Sequence, residues 1–165
     1  MVIARSLKDA ARIGSATTSL LLRRSEDLVC QNLMCAKLGE ACLCRLAVHL
    51  SRLSGLRELD VAENDLGILP EPVFELTELE TLDISGNGLT QLPTSVASLS
   101  SLRSLRVSNN SLTALPEEAL ASLQRLREVH AEGNRGLEAA TVEALRRRRP
   151  EIKVFWDGEG LATSS

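Results

Sequence analysis

The stretch at residues 80–93, ETLDISGNGLTQLP, recurs along this chain with its apolar and asparagine positions kept. Counterparts stand at residues 57–70, RELDVAENDLGILP, and at residues 103–116, RSLRVSNNSLTALP. The three copies are spaced by 23 residues, measured between their asparagines Asn64, Asn87 and Asn110. A fixed period of this length is typical of a solenoid, in which each copy is one structural unit stacked on the next.

Each residue type in the phrase has a physical role. Alternation predicts a short strand with Leu82 and Ile84 pointing into the core. Asn87 follows where the chain turns inward, and its amide can satisfy backbone groups of neighbouring coils that would otherwise be buried unpaired. Leu89 refills the core on the return side, and Pro93 keeps the exit extended. Because no single copy can bury its own apolar face, the repetition itself forms the core.

Further copies are predicted on both sides of the central three. A looser fourth copy keeps the spacing with Leu126, Val129, Ala131, Asn134 and, one residue late, Leu137. An upstream copy would place Leu28 and Cys30 on a strand and Leu33 at the asparagine position. Helical spacing then predicts an outer helix carrying Cys42, Leu46, Leu50 and Leu53.

The phrase follows the pattern L-x-x-L-x-L-x-x-N-x-L at residues 56–66, 79–89 and 102–112. With the basic helix TVEALRRRR, Pro150 and Asp157-Gly158, residues 28–158 resemble intracellular leucine-rich-repeat proteins that end in a C-terminal capping segment. The resemblance implies an α/β leucine-rich-repeat solenoid: a curved parallel sheet of about six short strands, a helical or extended outer side and helical caps. Short scaffold or light-chain-like members of that family bind a larger partner.

The chain divides into an N-terminal segment 1–26, repeats at 27–139, a C-terminal cap at 140–158 and a flexible tail at 159–165. Two interpretations of the N-terminal segment stand side by side. The spacing of Ile3, Leu7, Ala10 and Ala11 predicts an amphipathic helix that closes the stack. Alternatively, the segment is a mitochondrial targeting peptide, since Asp9 is the only acid in its first 25 residues, among the basic residues Arg5, Lys8, Arg12, Arg23 and Arg24.

Composition limits the classes of function. The chain has 165 residues, of which 44% are hydrophobic and 2% aromatic, so the core is aliphatic. The net charge of −3 gives no global field that would attract nucleic acid. The apolar run Leu20–Leu22 is too short to cross a membrane, and Arg23 follows it directly, so membrane insertion is not expected.

The cysteines favour a cytoplasmic or other reducing intracellular compartment, with the mitochondrion as the alternative. All four fall within one short segment, as Cys30, Cys35, Cys42 and Cys44, rather than being distributed as staples. Their spacings do not match a zinc site, so no metal or cofactor is expected. A thiol enzyme using Cys42 or Cys44 with His49 is a third hypothesis, but helical geometry keeps both thiols away from the imidazole.

Function is expected on the concave sheet face, where alternate side chains project outward at regular spacing. The predicted middle row runs through Asp60, Asp83, Arg106 and His130 to Lys153. The predicted protein-binding residues are Glu58, Asp60, Thr81, Asp83, Ser104, Arg106, Glu128, His130 and Phe155. A second candidate contact, for an acidic protein or phosphate, is the run Arg146, Arg147, Arg148 and Arg149.

The sequence therefore predicts a non-catalytic protein-protein interaction or scaffold subunit that binds a larger partner. The alternative is a mitochondrial structural subunit of a ribosome or respiratory assembly. Nucleic acid is not expected as a partner except through Arg146–Arg149 within a ribonucleoprotein.

Overall fold

Short parallel strands form one sheet in chain order. The structure, a computed structural model, describes residues 1–28 and 44–160, and within them the sheet has seven strands. Their bounds are β1 Ile3–Ala4, β2 Ser19–Leu21, β3 Glu58–Asp60, β4 Thr81–Asp83, β5 Ser104–Arg106, β6 Glu128–His130 and β7 Lys153–Phe155. Each strand pairs with its neighbours in sequence, so the predicted α/β solenoid is confirmed. A strand with the outer segment that follows it is called a rung below.

The outer side combines short helices with single turns of 3₁₀ helix. The helices are α1 Leu7–Ile13, α2 Cys44–Leu50, α3 Glu117–Ser122 and α4 Ala139–Arg148. The 3₁₀ turns are Gly14–Ala16, Glu26–Leu28, Glu71–Glu75, Thr94–Ser98 and Asp157–Gly160. Extended prolines, Pro70 and Pro93, precede two of these turns, as expected from the fixed φ of proline. The predicted outer helix is confirmed by buried Leu46 and Leu50, whereas Cys42 lies outside the described residues.

The core is a column of aliphatic side chains, one level per strand. The inward-pointing residues that share one register line are Ala4, Leu20, Leu59, Leu82, Leu105, Val129 and Val154, and all are buried. Burying one such leucine or valine stabilises the fold by about 1.5–3 kcal/mol, and every level requires a neighbour above or below it.

Buried asparagines connect consecutive rungs. The Asn87 side chain is fully buried, and its Nδ2 donates to the carbonyls of Val61 at 3.0 Å and Ile84 at 3.1 Å. Its Oδ1 accepts from the amides of Asn64 at 3.0 Å and Leu66 at 3.3 Å. Asn87 therefore satisfies backbone groups of its own rung and of the preceding one, as predicted.

The same pattern recurs along the stack. Asn110 Oδ1 accepts from the amides of Asn87 and Leu89, at 2.9 and 3.0 Å. Asn134 Nδ2 donates to the carbonyls of Val107 and Ala131, and Asn64 makes the corresponding bonds at the other end. We call Asn64, Asn87, Asn110 and Asn134 the asparagine ladder; it holds successive rungs at a constant register.

The upstream copy was predicted at the wrong place. Leu20, rather than Leu28, pairs with Leu59 in the sheet, and Leu28 lies on a 3₁₀ turn. The amide of Ser25 donates to Asn64 Oδ1 at 2.8 Å, as the amide of Asn64 does to Asn87. Ser25 stands at the asparagine position of this rung, and for that reason the asparagine pattern did not predict the rung. Parallel strands therefore extend upstream of residue 27, where the repeats were expected to begin. Cys30 and Leu33 lie outside the described residues.

The N-terminal segment contains the expected helix, but a strand precedes it. Ser6 caps α1, its hydroxyl accepting from the Asp9 amide at 3.0 Å, and Leu7 and Ala10 are buried as predicted. Ile3 instead lies on β1 and is 38% exposed. The segment thus supplies two parallel strands in addition to a helix.

The C-terminal cap follows its prediction closely. Val142 and Leu145 of α4 are fully buried, and Ile152 and Val154 are buried around β7. Trp156 is partly buried against the same core, and Gly158 lies directly on its indole ring. A Cβ at Gly158 would stand 2.0 Å from Cη2 of Trp156, so this position excludes any side chain unless the indole moves.

Substituting Asn87 by alanine should destabilise the protein. The substitution leaves the amides of Asn64 and Leu66 without their acceptor, and each buried unpaired polar group costs about 1–3 kcal/mol. The carbonyls of Val61 and Ile84 keep the Nδ2 donors of Asn64 and Asn110, respectively. We expect the midpoint of urea unfolding to fall clearly for Asn87→Ala and to stay unchanged for Gln91→Ala, an exposed amide in the same rung. Equal midpoints for the two variants would show that water already satisfies the ladder.

Substituting Gly158 by alanine should displace the indole ring. Trp156 is the only tryptophan, so its emission reports this contact alone. We expect a red-shifted emission maximum and a loss of about 1–3 kcal/mol, typical of overpacking. Gly136→Ala is the matched control, because its Cβ would meet Thr113 Cγ2 at an ordinary 3.7 Å. An unchanged spectrum for Gly158→Ala would contradict this packing.

Candidate protein-binding surface

The outward-facing side chains of the strands form two parallel rows. The first row is Ile3, Ser19, Glu58, Thr81, Ser104, Glu128 and Lys153, and the second is Leu21, Asp60, Asp83, Arg106, His130 and Phe155. We call these rows the sheet face. All nine residues predicted as protein-binding lie in them. The expected middle row was wrong at its end, since Phe155 rather than Lys153 pairs with His130.

That error has a simple cause. The prediction extended the period of 23 residues from His130 to Lys153, whereas α4 and the proline after it lengthen the last rung. Phe155 therefore occupies the second row, and its ring stacks on His130 with centroids 4.5 Å apart and an interplanar angle of 17°. This contact places an aromatic side chain that is 40% exposed at the C-terminal edge of the sheet face.

At the N-terminal half of the sheet face, one arginine holds three carboxylates. The Arg23 guanidinium donates to Asp83 Oδ2 at 2.8 Å, Glu63 Oε1 at 2.9 Å and Asp60 Oδ2 at 3.3 Å. Partial burial opposes its charge, but Asp60, Asp83 and Glu63 outweigh this effect and raise the pKa of Arg23. Arg24 also pairs with Glu63. The sequence analysis named Arg23 only beside a short apolar run and among the basic residues of the alternative targeting-peptide interpretation, and missed this role.

Asp83 is consequently not the freely exposed residue that alternation predicted. Its residue exposure is only 6%, because Arg23 covers one carboxylate oxygen. The other oxygen accepts from the amide of Ser85 at 3.0 Å, as Asp60 Oδ1 does from the amide of Ala62. Reversing the charge of Asp83 would therefore disturb the fold rather than spare it.

The C-terminal half of the sheet face is more open. Glu128 and Glu132 flank His130, with Glu128 Oε1 at 3.7 Å from Nε2 and Glu132 Oε1 at 3.6 Å from Nδ1. Arg106, on the neighbouring strand, is exposed. We call Arg106, Glu128, His130, Glu132 and Phe155 the C-terminal patch. It combines a cation, two carboxylates and a stacked aromatic pair on rigid strands.

Serine hydroxyls orient both carboxylates of this patch. Ser104 Oγ donates to Glu128 Oε1 at 2.7 Å, and Ser108 Oγ donates to Glu132 Oε2 at 2.7 Å. The Ser104 hydrogen bond lowers the pKa of Glu128; partial burial opposes the shift, and electrostatic interactions with His130 and Arg106 add to it. Glu128 is therefore ionised at neutral pH.

The Arg146–Arg149 run mainly joins elements of the cap. Arg149 Nη1 donates to the carbonyls of Ala121 at 2.7 Å and Leu123 at 3.3 Å, at the end of α3. Arg146 Nη2 donates to the Val154 carbonyl at 2.9 Å. Arg148 pairs with Glu118 at 3.1 Å. These contacts give the run a structural role, and its predicted acidic-protein or phosphate contact stays a prediction.

The described residues add little to the other hypotheses. His49 Nδ1 lies 2.7 Å from the Arg45 carbonyl of its own helix. Cys42 lies outside the described residues, and the Cys44 side chain is not described, so the thiol hypothesis stays untested. Residues 1–28 and 44–160 contain no group of three potential metal ligands. Over the same ranges, no helix has the length and apolarity needed to span a membrane.

Removing Arg23 should destabilise the fold. Arg23→Gln leaves Asp83 largely buried without its cation. Because the Arg23 side chain is 45% exposed, we expect the free energy of unfolding to fall by roughly 1–2 kcal/mol, which is less than for a fully buried pair. Arg24→Gln is the control, since its side chain is 77% exposed and should contribute at most about 1 kcal/mol. Urea unfolding measures both, and a larger loss for Arg24→Gln would contradict the assignment.

Comparison with known proteins agrees with this geometry. A family model described as leucine-rich repeat region matches residues 29–149. A solved leucine-rich-repeat protein of Leptospira interrogans is 31% identical, with a TM-score of 0.59 over 65% of this chain. The Toll–Spatzle complex of Drosophila includes a chain that is 20% identical, with a TM-score of 0.56 over 81% of this chain. No curated protein matches.

The matched structures are much longer than this chain. It covers 27% of the Leptospira protein and 16% of the Drosophila chain, so the likeness concerns the repeat architecture. The strands β1 and β2 lie upstream of the region that the family model matches. The asparagine ladder, the parallel rungs and the family match over residues 29–149 together show that the chain belongs to the leucine-rich-repeat proteins.

Proposed function

We propose that this chain is a non-catalytic binding subunit that docks a larger protein partner on the C-terminal patch of its sheet face. The observation that carries the proposal is the exposed ring of Phe155, stacked on His130. Leucine-rich-repeat domains generally bind proteins, and this ring, which is 40% exposed, is the large exposed apolar group of the C-terminal half of the sheet face. Ile3, which is 38% exposed, lies at the opposite end of the face.

The composition of the patch suits a binding site. Aromatic residues and arginine dominate the energetically important positions of protein interfaces, and Phe155 and Arg106 are of these types. Both lie on strands that pair with neighbouring rungs, so little backbone conformational entropy is lost on binding. At the N-terminal half, by contrast, Arg23 already occupies Asp60 and Asp83, which leaves fewer groups for a partner.

The dimensions of the sheet face also indicate what docks there. A strand of three residues is about 10 Å long, and seven strands span about 30 Å across the sheet. This narrow, long surface accommodates one extended or helical segment of a partner, lying across the strands. A partner that buries a standard interface of about 800 Å² per side must also contact the loops that border the face.

The cellular setting forms part of the same proposal. Four cysteines lie within residues 30–44, which supports a reducing compartment, cytoplasmic or mitochondrial. The scaffold role within a larger assembly is proposed on the resemblance to short capped members of the family.

A capture experiment tests the proposed surface. Tagged wild-type chain and the double variant His130→Ala/Phe155→Ala, which removes the stacked pair, are used to purify partners from cells, with quantitative mass spectrometry of both eluates. The control variant Val48→Ala/Ile68→Ala truncates two exposed apolar side chains outside the sheet face. We expect partners to be lost with the double variant and kept with the control.

Calorimetry then measures the effect on affinity. The captured partner, once purified, is titrated into wild type and variants whose melting temperatures are equal. We expect the double variant to bind at least about tenfold more weakly, equivalent to about 1.4 kcal/mol. Full affinity in a folded double variant would move the interface away from the C-terminal patch.

A further inference from the structure

The sheet face and its borders carry more carboxylates than cations. Its carboxylates are Glu58, Asp60, Asp83 and Glu128, together with Glu63, Glu132 and Asp157 at its border, which is taken as the second and third residues after each strand. Its cations are Arg106 and Lys153, joined by Arg23 and Arg24 from the segment after β2. The surplus is negative, so a partner of complementary charge is basic.

The face also shows directly which cation it accepts. Arg23 comes from the segment after β2, and its guanidinium lies over β3 and β4, where three carboxylates converge on it within 3.3 Å. A guanidinium offers its donors in a fixed planar arrangement that matches several carboxylates at once. The N-terminal half is therefore an arginine-binding surface whose occupant is part of the chain.

The C-terminal half presents similar chemistry without such an occupant. Glu128 and Glu132 lie on the same face of β6 and its extension, on either side of His130, with side-chain exposures of 38% and 41%. Both distances to His130 exceed hydrogen-bonding length. Within the part of the chain that the structure describes, no arginine or lysine forms an ion pair with either carboxylate. The lowered pKa of Glu128 keeps its charge at neutral pH.

We propose that the segment recognised here is basic: it presents arginine or lysine side chains to Glu128 and Glu132 and an apolar side chain to Phe155. This inference rests on the proposed function and specifies its partner. An aromatic ring next to two carboxylates suits a guanidinium in particular, because the ring face attracts cations and the carboxylates pair with them. His130, flanked by the two carboxylates, is not the group that receives an acidic partner residue.

Synthetic peptides test the chemistry. Isothermal titration calorimetry at physiological ionic strength compares a ten-residue peptide of alternating arginine and alanine with a central phenylalanine against the same peptide with glutamate in place of arginine. The protein variants are Glu128→Gln/Glu132→Gln at the patch and Glu75→Gln/Glu78→Gln as the matched control. The control pair is exposed, lies outside the sheet face and changes the net charge equally.

We expect the basic peptide to bind and the acidic peptide not to bind. The patch variant should weaken binding at least about tenfold, and the control variant less than about twofold, because salt screens distant charges. Equal weakening by the control would reveal general attraction to an acidic protein and would overturn the inference. Binding of the acidic peptide, or of neither peptide, would also overturn it.

The captured partner separates this inference from the proposed function. If His130→Ala/Phe155→Ala abolishes capture and Glu128→Gln/Glu132→Gln does not, the face is the interface but the partner segment is not basic. If neither variant reduces capture, both proposals fail together. Loss of capture with both variants, and retention with Glu75→Gln/Glu78→Gln, supports both.

Discussion

The asparagine ladder is the constraint on which this structure depends. A short strand with one inward leucine and a return segment cannot bury its own apolar surface, and its turn carries backbone groups that water does not reach. Asn87 satisfies such groups in two rungs at once. Stacking therefore removes apolar surface from water and pairs the polar groups in the same step. The constant register of the strands is a consequence.

Constant register in turn produces the sheet face. Because Leu59, Leu82 and Leu105 point into the core at the same level, the residues beside them emerge in rows on the opposite side. The rows differ along the stack in how many of their charged groups have ion-pair partners within the chain. Arg23 pairs with the carboxylates of the first acidic rungs, whereas the ring of Phe155, which stacks on His130, stays exposed.

Much of this could be predicted from the sequence, for physical reasons. The period of 23 residues fixes the rung, and strict alternation fixes which side chains face outward. The rung at Leu20 escaped prediction because Ser25 replaces asparagine there and still supplies the amide that joins the ladder. The middle row was predicted to end at Lys153 instead of Phe155, because a full helix, α4, lengthens the last rung beyond the period of 23 residues.

Contacts between distant residues were not predictable at all. The burial of Asp83 depends on Arg23, 60 positions earlier in the chain, and no local pattern joins the two. Similarly, no local pattern shows that the Arg149 guanidinium donates to backbone carbonyls at the end of α3. Repeats predict what faces outward, and only the folded chain shows which of those groups already have partners.

The most direct test of the account is amide chemical-shift mapping of the ¹⁵N-labelled chain with its purified partner. We expect the perturbed amide shifts to fall on β5, β6 and β7 around Arg106, His130 and Phe155, with little change on the outer helices α2 and α3. Perturbations confined to those helices, with unchanged strands, would contradict it.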